Sequence, residues 1–164
     1  HFYMDYNLTV AKHPSENELR MMFRLLAFLY CAHPNLKFTK GLSSSDEPEI
    51  WQKSSTGEIL HWIELGLPEP KRIRQACGKS HFVSVFTYHQ GKALEWYNKN
   101  KSDFDENKKL KIYYFDVTEN GPIDKFTQKS MKLSCIIEEK HMYLSDDDER
   151  IKIDVKAMDS SLSK

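Results

Sequence analysis

The sequence predicts a mixed α/β fold: a central mixed sheet with helices on its faces, finished by a C-terminal antiparallel meander. Three observations carry this. Segments of period two or of continuous apolar character alternate with segments of helical period along most of the chain. The apolar run 82–88 is short and rich in β-branched and aromatic residues, as an interior strand should be. Three closely spaced strand-like segments, 133–138, 141–144 and 150–155, close the chain with only turns between them.

In chain order, Tyr6, Leu8 and Val10 alternate with polar residues and predict a strand stopped at His13-Pro14. Ser15 with Glu18 forms a capping-box pattern, and Leu19, Met22, Phe23, Leu26 and Tyr30 follow at helical spacing until Pro34. The second half of this helix is apolar almost all round, which predicts a buried position. Residues 36–40 read as a short strand and 41–45 as a loop that delivers the acidic run Asp46-Glu47-Pro48-Glu49. A hairpin is expected from 50–53 and 60–65 across Ser54-Ser55-Thr56-Gly57. Glu49, Trp51 and Lys53 share one strand face, and Trp62, Glu64 and Gly66 share another.

Pro68 and Pro70 prepare a helix that buries Ile73, Ala76 and Cys77, ends near Gly78 and carries Lys71, Arg72 and Arg74 outward. A helix is expected over 91–100, a buried strand over 110–115 and a short helix over 122–130. Asp146-Asp147-Asp148-Glu149 reads as a solvated hairpin turn rather than a calcium loop, and 158–164 as a flexible tail. Trp51 and Trp62 are expected in the core.

At 164 residues, with 40% hydrophobic residues, the chain suits one domain spanning 1–164. Lys plus Arg and Asp plus Glu are 24 each, so nucleic acid would have to be held by a local basic patch. Cys31, Cys77 and Cys135 are odd in number and widely spaced, which opposes a disulfide framework or a zinc site and points to a reducing cytoplasm. No stretch approaches the roughly 20 apolar residues of a membrane span. The histidines lack a His-Glu-x-x-His pattern, and neither a Gly-x-Ser-x-Gly elbow nor a phosphate-binding Gly-x-x-x-x-Gly-Lys loop occurs. The chain begins at His1, which leaves open a missing first strand.

Glu49 and Glu64 fall near the ends of two expected adjacent strands, and adjacent carboxylates repel unless they hold a cation or share a proton. Glu64, amid Trp62, Ile63 and Leu65, needs either a metal or an arginine such as Arg20 or Arg24 to compensate its burial. Asp46 and Glu49 alternatively read as solvated turn residues, and Glu16 and Glu18 as groups favouring the helix dipole.

The order from Ser15 to Tyr88, with Pro48-Glu49 on one strand and Glu64 on the next, resembles the restriction-endonuclease-like core of the PD-(D/E)XK superfamily. Within it, His13-Pro14-Ser15-Glu16, Arg20-Met21-Met22, Gly41-Leu42, Asp46-Glu47-Pro48-Glu49 and Trp62-Ile63-Glu64-Leu65-Gly66-Leu67-Pro68 resemble the YaeQ family of small bacterial proteins. The resemblance implies a Mg²⁺-dependent nuclease in which Glu49 and Glu64 ligate the metal and Asp46 or Glu47 serves as an outer ligand. The superfamily's lysine is replaced by Gly66. Lys71, Arg72 or Arg74 from the following helix, or Lys53, are the candidates for its catalytic role, with Arg72, Lys79 and the backbone at Gly66 expected to bind a phosphate-bearing substrate. The alternative is a degenerate nuclease fold that binds nucleic acid or a protein partner without cutting, as a monomer or weak dimer.

Overall fold

The computed structural model describes residues 8, 10, 12, 16–39, 46–117 and 123–159. Among these, eight strands form one sheet in the order β1-β2-β3-β4-β5-β8-β7-β6. The strands are β1 (Leu36–Phe38), β2 (Ile50–Lys53), β3 (Ile59–Leu65), β4 (Ser80–Thr87), β5 (Leu110–Asp116), β6 (Ser134–Glu138), β7 (His141–Ser145) and β8 (Arg150–Ala157). The helices are α1 (Glu18–Tyr30), α2 (Pro70–Lys79), α3 (Gln90–Lys99) and α4 (Lys101–Asp105), with a 3-10 turn at Ile123–Phe126. β3, β4 and β5 run parallel, and every other pairing is antiparallel. Parallel neighbours need a crossover. Here α2 carries the chain from β3 to β4, and α3 with α4 carries it from β4 to β5.

Strand alternation splits the apolar residues between two cores. On one face α1 lays Met22, Phe23 and Leu26 against Ile50, Ile63, Leu65, Phe86 and Phe115, and this core continues under the meander through Met142, Leu144, Ile151 and Ile153. On the other face α2 and α3 cover Trp62, Val83, Val85 and Ile112 with Ile73, Ala76, Ala93 and Tyr97. Glu64 has the parity of Trp62, so the strand aims it toward the α2 side.

The expected mixed α/β class, the hairpin, the helix on Pro70, the interior strand and the meander are all present. Several particulars differ. Asn17, not Ser15, caps α1: its Oδ1 accepts the Arg20 amide at 2.8 Å. Ser15 lies outside the described residues, as do 41–45, and the strand expected at 6–10 falls mostly outside them. The segment expected to be a helix over 122–130 makes only the 3-10 turn, and α4 was not anticipated. Met158, assigned to the tail, is buried; its amide donates to the Ile112 carbonyl at 2.8 Å and its sulfur accepts the Thr87 hydroxyl. Asp146 does close a turn, with Oδ1 accepting the amides of Asp148 and Glu149. Among the described residues no helix is long and apolar enough to cross a membrane.

Candidate functional site

Six charged residues gather at the carboxyl end of β3 and the entrance of β2. β2 and β3 pair with Ile50 opposite Ile63, and the Glu49 amide donates to the Ile63 carbonyl at 3.2 Å. Continuing that register by one residue sets Glu49 opposite Glu64. Both are buried, at 6% and 4% exposure, so the solvated-turn reading of Glu49 does not hold.

Each carboxylate meets an arginine. Glu64 Oε1 accepts from Arg72 Nε at 2.7 Å and from the Trp62 indole N–H at 2.8 Å. The indole contact follows from sequence: Trp62 and Glu64 are two residues apart on one strand face. Arg72 also donates through Nη2 to the Glu47 carbonyl at 2.7 Å, tying α2 to the segment that enters β2. Glu49 Oε1 accepts from Arg20 Nη2 at 2.6 Å. Arg20 donates through Nη1 to Glu16 at 2.7 Å, and Arg24 Nη2 meets the other oxygen of Glu16 at 2.9 Å. Arg20 and Arg24, four residues apart, share one face of the first turns of α1, and Glu16, just ahead of the Asn17 cap, folds back to meet both. Glu16, expected to serve the helix dipole, is therefore a buried counter-ion to two arginines.

Electrostatics follow the geometry. Burial pushes the Glu64 carboxyl above the ordinary glutamate range; Arg72 and the Trp62 indole oppose the shift, and the charge of Glu49 adds to it. The two carboxylates therefore act on one another. Burial works against the charge of Arg20, but Glu49 and Glu16 outweigh it and hold this guanidinium above its usual value. Burial also raises the Tyr88 phenol just beyond β4, where Arg20, Glu16 and Glu49 all exert charge on it.

The other expected site residues are spread out. Asp46 pairs with Lys79 at 3.2 Å on the surface, and Arg74 pairs with Asp103 at 3.2 Å. Lys53 sits over the Trp51 ring, 3.9 Å from its centroid, and Lys71 is exposed on α2. Trp51 is half-buried, whereas Trp62 is in the core. Glu64's arginine is thus neither Arg20 nor Arg24, which belong to Glu49 and Glu16. The Gly66 amide donates to the Phe86 carbonyl at 2.9 Å and so is already engaged. Gly66 has φ of +100°, with open space where a Cβ would stand. Its backbone, rather than crowding, excludes a lysine two residues beyond Glu64.

The class defined by this arrangement is a mixed-sheet α/β protein with a buried carboxylate and arginine cluster at the carboxyl end of its first parallel strand. The YaeQ protein family model matches residues 1–155, and the chain belongs to that family. It is 38% identical over 155 residues to the Escherichia coli K12 protein described as "Uncharacterized protein YaeQ", covering 94% of this chain and 86% of that one. The Salmonella typhi protein of the same description is 37% identical over the same coverage. A crystal structure of the YaeQ protein from Xanthomonas axonopodis pv. citri superposes with a TM-score of 0.88 at 32% identity, over 95% of this chain and 88% of that one. The Pseudomonas syringae YaeQ protein gives 0.84 at 28% identity, over 97% and 88%. The bacterial family is thereby established.

Proposed function

We propose that this protein is a Mg²⁺-dependent phosphodiesterase acting on nucleic acid, built on a PD-(D/E)XK-like site whose lysine is replaced by Arg72. The observation that carries this reading is the opposition of Glu49 and Glu64 across neighbouring strands with the Arg72 guanidinium 2.7 Å from Glu64. Among the described residues there is no group of three or more histidine, cysteine or acidic side chains able to hold a metal. Two carboxylates are nevertheless a sufficient protein contribution for Mg²⁺, which keeps several waters and takes further oxygens from a substrate phosphate. Glu49 and Glu64 would hold the ion. Bound there, it would supply Lewis-acid polarisation of the phosphate and a more acidic water.

Arg72 is 28% exposed on its side chain and carries its charge beside Glu64, where it would attract a phosphate that meets the ion. Glu16 and Arg24, both buried, fix Arg20 and through it the Glu49 carboxylate. The Trp62 indole fixes the Glu64 rotamer from beneath. Lys79 and Lys71 on α2 add positive charge on the same helix as Arg72, the kind of local patch a neutral chain needs to hold a polyanion.

A second reading has its own support. Arg20 and Arg72 already neutralise Glu49 and Glu64, so the same cluster can serve as a charge-balanced scaffold that binds nucleic acid or a protein without cutting. Incubation with labelled single- and double-stranded DNA and RNA in Mg²⁺ or Mn²⁺ separates the two. The nuclease reading expects cleavage lost by at least 100-fold in both Glu64→Gln and Arg72→Gln. Binding with no cleavage in the wild type supports the scaffold.

A further inference from the structure

A run of aromatic rings leads from the core to the surface beside the carboxylate pair. Phe23 on α1, 4% exposed, stacks on Tyr88 with ring centroids 4.5 Å apart and planes 15° apart. Tyr88 is half-buried and meets the His89 ring at 4.4 Å with a 46° tilt, and His89 is exposed. β3 and β4 run parallel with Leu65 beside Phe86, and continuing that register sets Tyr88 beside Leu67, just beyond Glu64. On α1, Phe23 follows Arg20 by nearly one turn, so the Phe23–Tyr88 contact stands next to the Arg20–Glu49 pair. The charges of Arg20, Glu16 and Glu49 accordingly all act on the Tyr88 phenol. The carboxyl ends of parallel strands are where open α/β sheets take their ligands.

His89 is also an uncommon choice for the position it holds, the N-cap of α3. Asp, Asn, Ser and Thr are preferred there because their side-chain oxygens accept from the first helical amides. His89 makes no side-chain cap bond, and its backbone carbonyl accepts the Ala93 amide at 2.7 Å. The helix start therefore uses only the backbone of this residue, and the ring serves neither the cap nor the core.

We infer that His89, backed by Tyr88 and Phe23, is a stacking platform for an unpaired nucleobase, which makes single-stranded nucleic acid the substrate class of this site. The inference rests on the proposed placement of a nucleic-acid phosphate at Glu49 and Glu64. Each base is tied to its phosphate through one sugar, so a strand held at the carboxylates carries its bases past the ring just beyond them. In a duplex, base faces are already stacked on their neighbours and base edges are paired, whereas an unpaired base can turn its face to the imidazole. Such stacking tolerates any sequence, because every base has a π-face.

Fluorescence anisotropy on the full chain in Mg²⁺ tests this with labelled, non-cleavable phosphorothioate probes of about ten residues, within the span of one binding module. The probes are a thymidylate strand, the same backbone without bases, and a blunt duplex. Wild type should bind the thymidylate strand about 10-fold more tightly than either of the others. His89→Ala should weaken thymidylate binding about 10-fold, the size of one lost stack, and leave the baseless strand unchanged, a pattern that misfolding cannot imitate. His89→Phe, which keeps a ring without its nitrogens, should bind as wild type does. Equal binding of the thymidylate and baseless strands overturns the inference, as does a preference for the duplex or no binding of any probe. So does thymidylate binding that ignores His89→Ala, or a His89→Phe variant as weak as His89→Ala. Cleavage of the unmodified strand and duplex, followed in parallel, separates this inference from the nuclease reading. The expected binding pattern without cleavage removes the nuclease reading and leaves the platform standing, whereas cleavage of both substrates with no dependence on His89 removes the platform alone.

Discussion

The end of the sheet formed by β2 and β3 and the end formed by β6 to β8 solve opposite problems with the same residue types. At the first, Glu16, Glu49, Glu64 and Arg24 are all less than 7% exposed, and charge-assisted hydrogen bonds run from Arg20 and Arg24 to Glu16, from Arg20 to Glu49 and from Arg72 to Glu64. At the second, Lys125 with Glu149 and Lys156 with Asp116 pair near water. A surface pair contributes little, because water screens it and its side chains lose freedom. A buried charge left alone is costly, so each member of the first cluster depends on its partners. Concentrating buried charge at one place is expensive for stability, and proteins tolerate that mostly where chemistry or recognition requires it.

The sharpest break in this contrast should come from Glu16→Ala. It removes the buried counter-ion shared by Arg20 and Arg24, the latter 2% exposed, and should lower stability by about 3 to 5 kcal/mol in urea denaturation. A loss below about 1 kcal/mol would mean that the cluster is wetter than its geometry implies. Gly66→Lys, which adds the lysine that the proposed nuclease-like site lacks, should cost roughly 1 to 3 kcal/mol because a side chain must adopt the positive φ. It should not raise any cleavage activity. Arg72→Gln should cost about 2 kcal/mol of stability, since it takes away the guanidinium beside buried Glu64, which then relieves part of the penalty by taking up a proton. Lys156→Gln, in the meander, should change stability by at most about 0.5 kcal/mol.

The pH dependence has a definite sign. A carboxyl whose folded pKa is raised binds its proton more tightly in the folded state, so its contribution to stability is fully present below the unfolded value, near 4.5, and lost as pH rises through the folded value. Wild type should therefore lose stability relative to Glu64→Gln as pH rises from below 4.5 into the window above it. Thermal melts of both proteins across that range check the direction; parallel curves would remove Glu64 from the pH response.

Much of the fold was legible because periodicity is local. Ile73, Ala76 and Cys77 mark the inner face of α2 by spacing alone, and the run in β4 marks an interior strand. The cap was misread because Ser15 and Asn17 both offer a capping oxygen, and only the contact to the Arg20 amide distinguishes them. The two carboxylates were legible as a pair, but not their partners. Arg20 and Glu49 are 29 residues apart, so nothing local announces the contact. The spacing of Glu16, Arg20 and Arg24 was a usable signal, since an acid just ahead of a helix lies within reach of bases four and eight residues on. Arg72 could be placed on the right helix but not chosen over Lys71 or Arg74, because its selection depends on how α2 packs against β3.

The most direct test of the proposed site is calorimetric titration of Mn²⁺ and Mg²⁺ into wild type and Glu64→Gln, with and without a non-cleavable oligonucleotide. Binding in the wild type that is lost in Glu64→Gln, and that weakens toward acidic pH as the raised Glu64 carboxyl takes up its proton, is the predicted result. No metal binding in any of these mixtures would contradict the nuclease reading and leave Glu49 and Glu64 as arginine counter-ions in a scaffold.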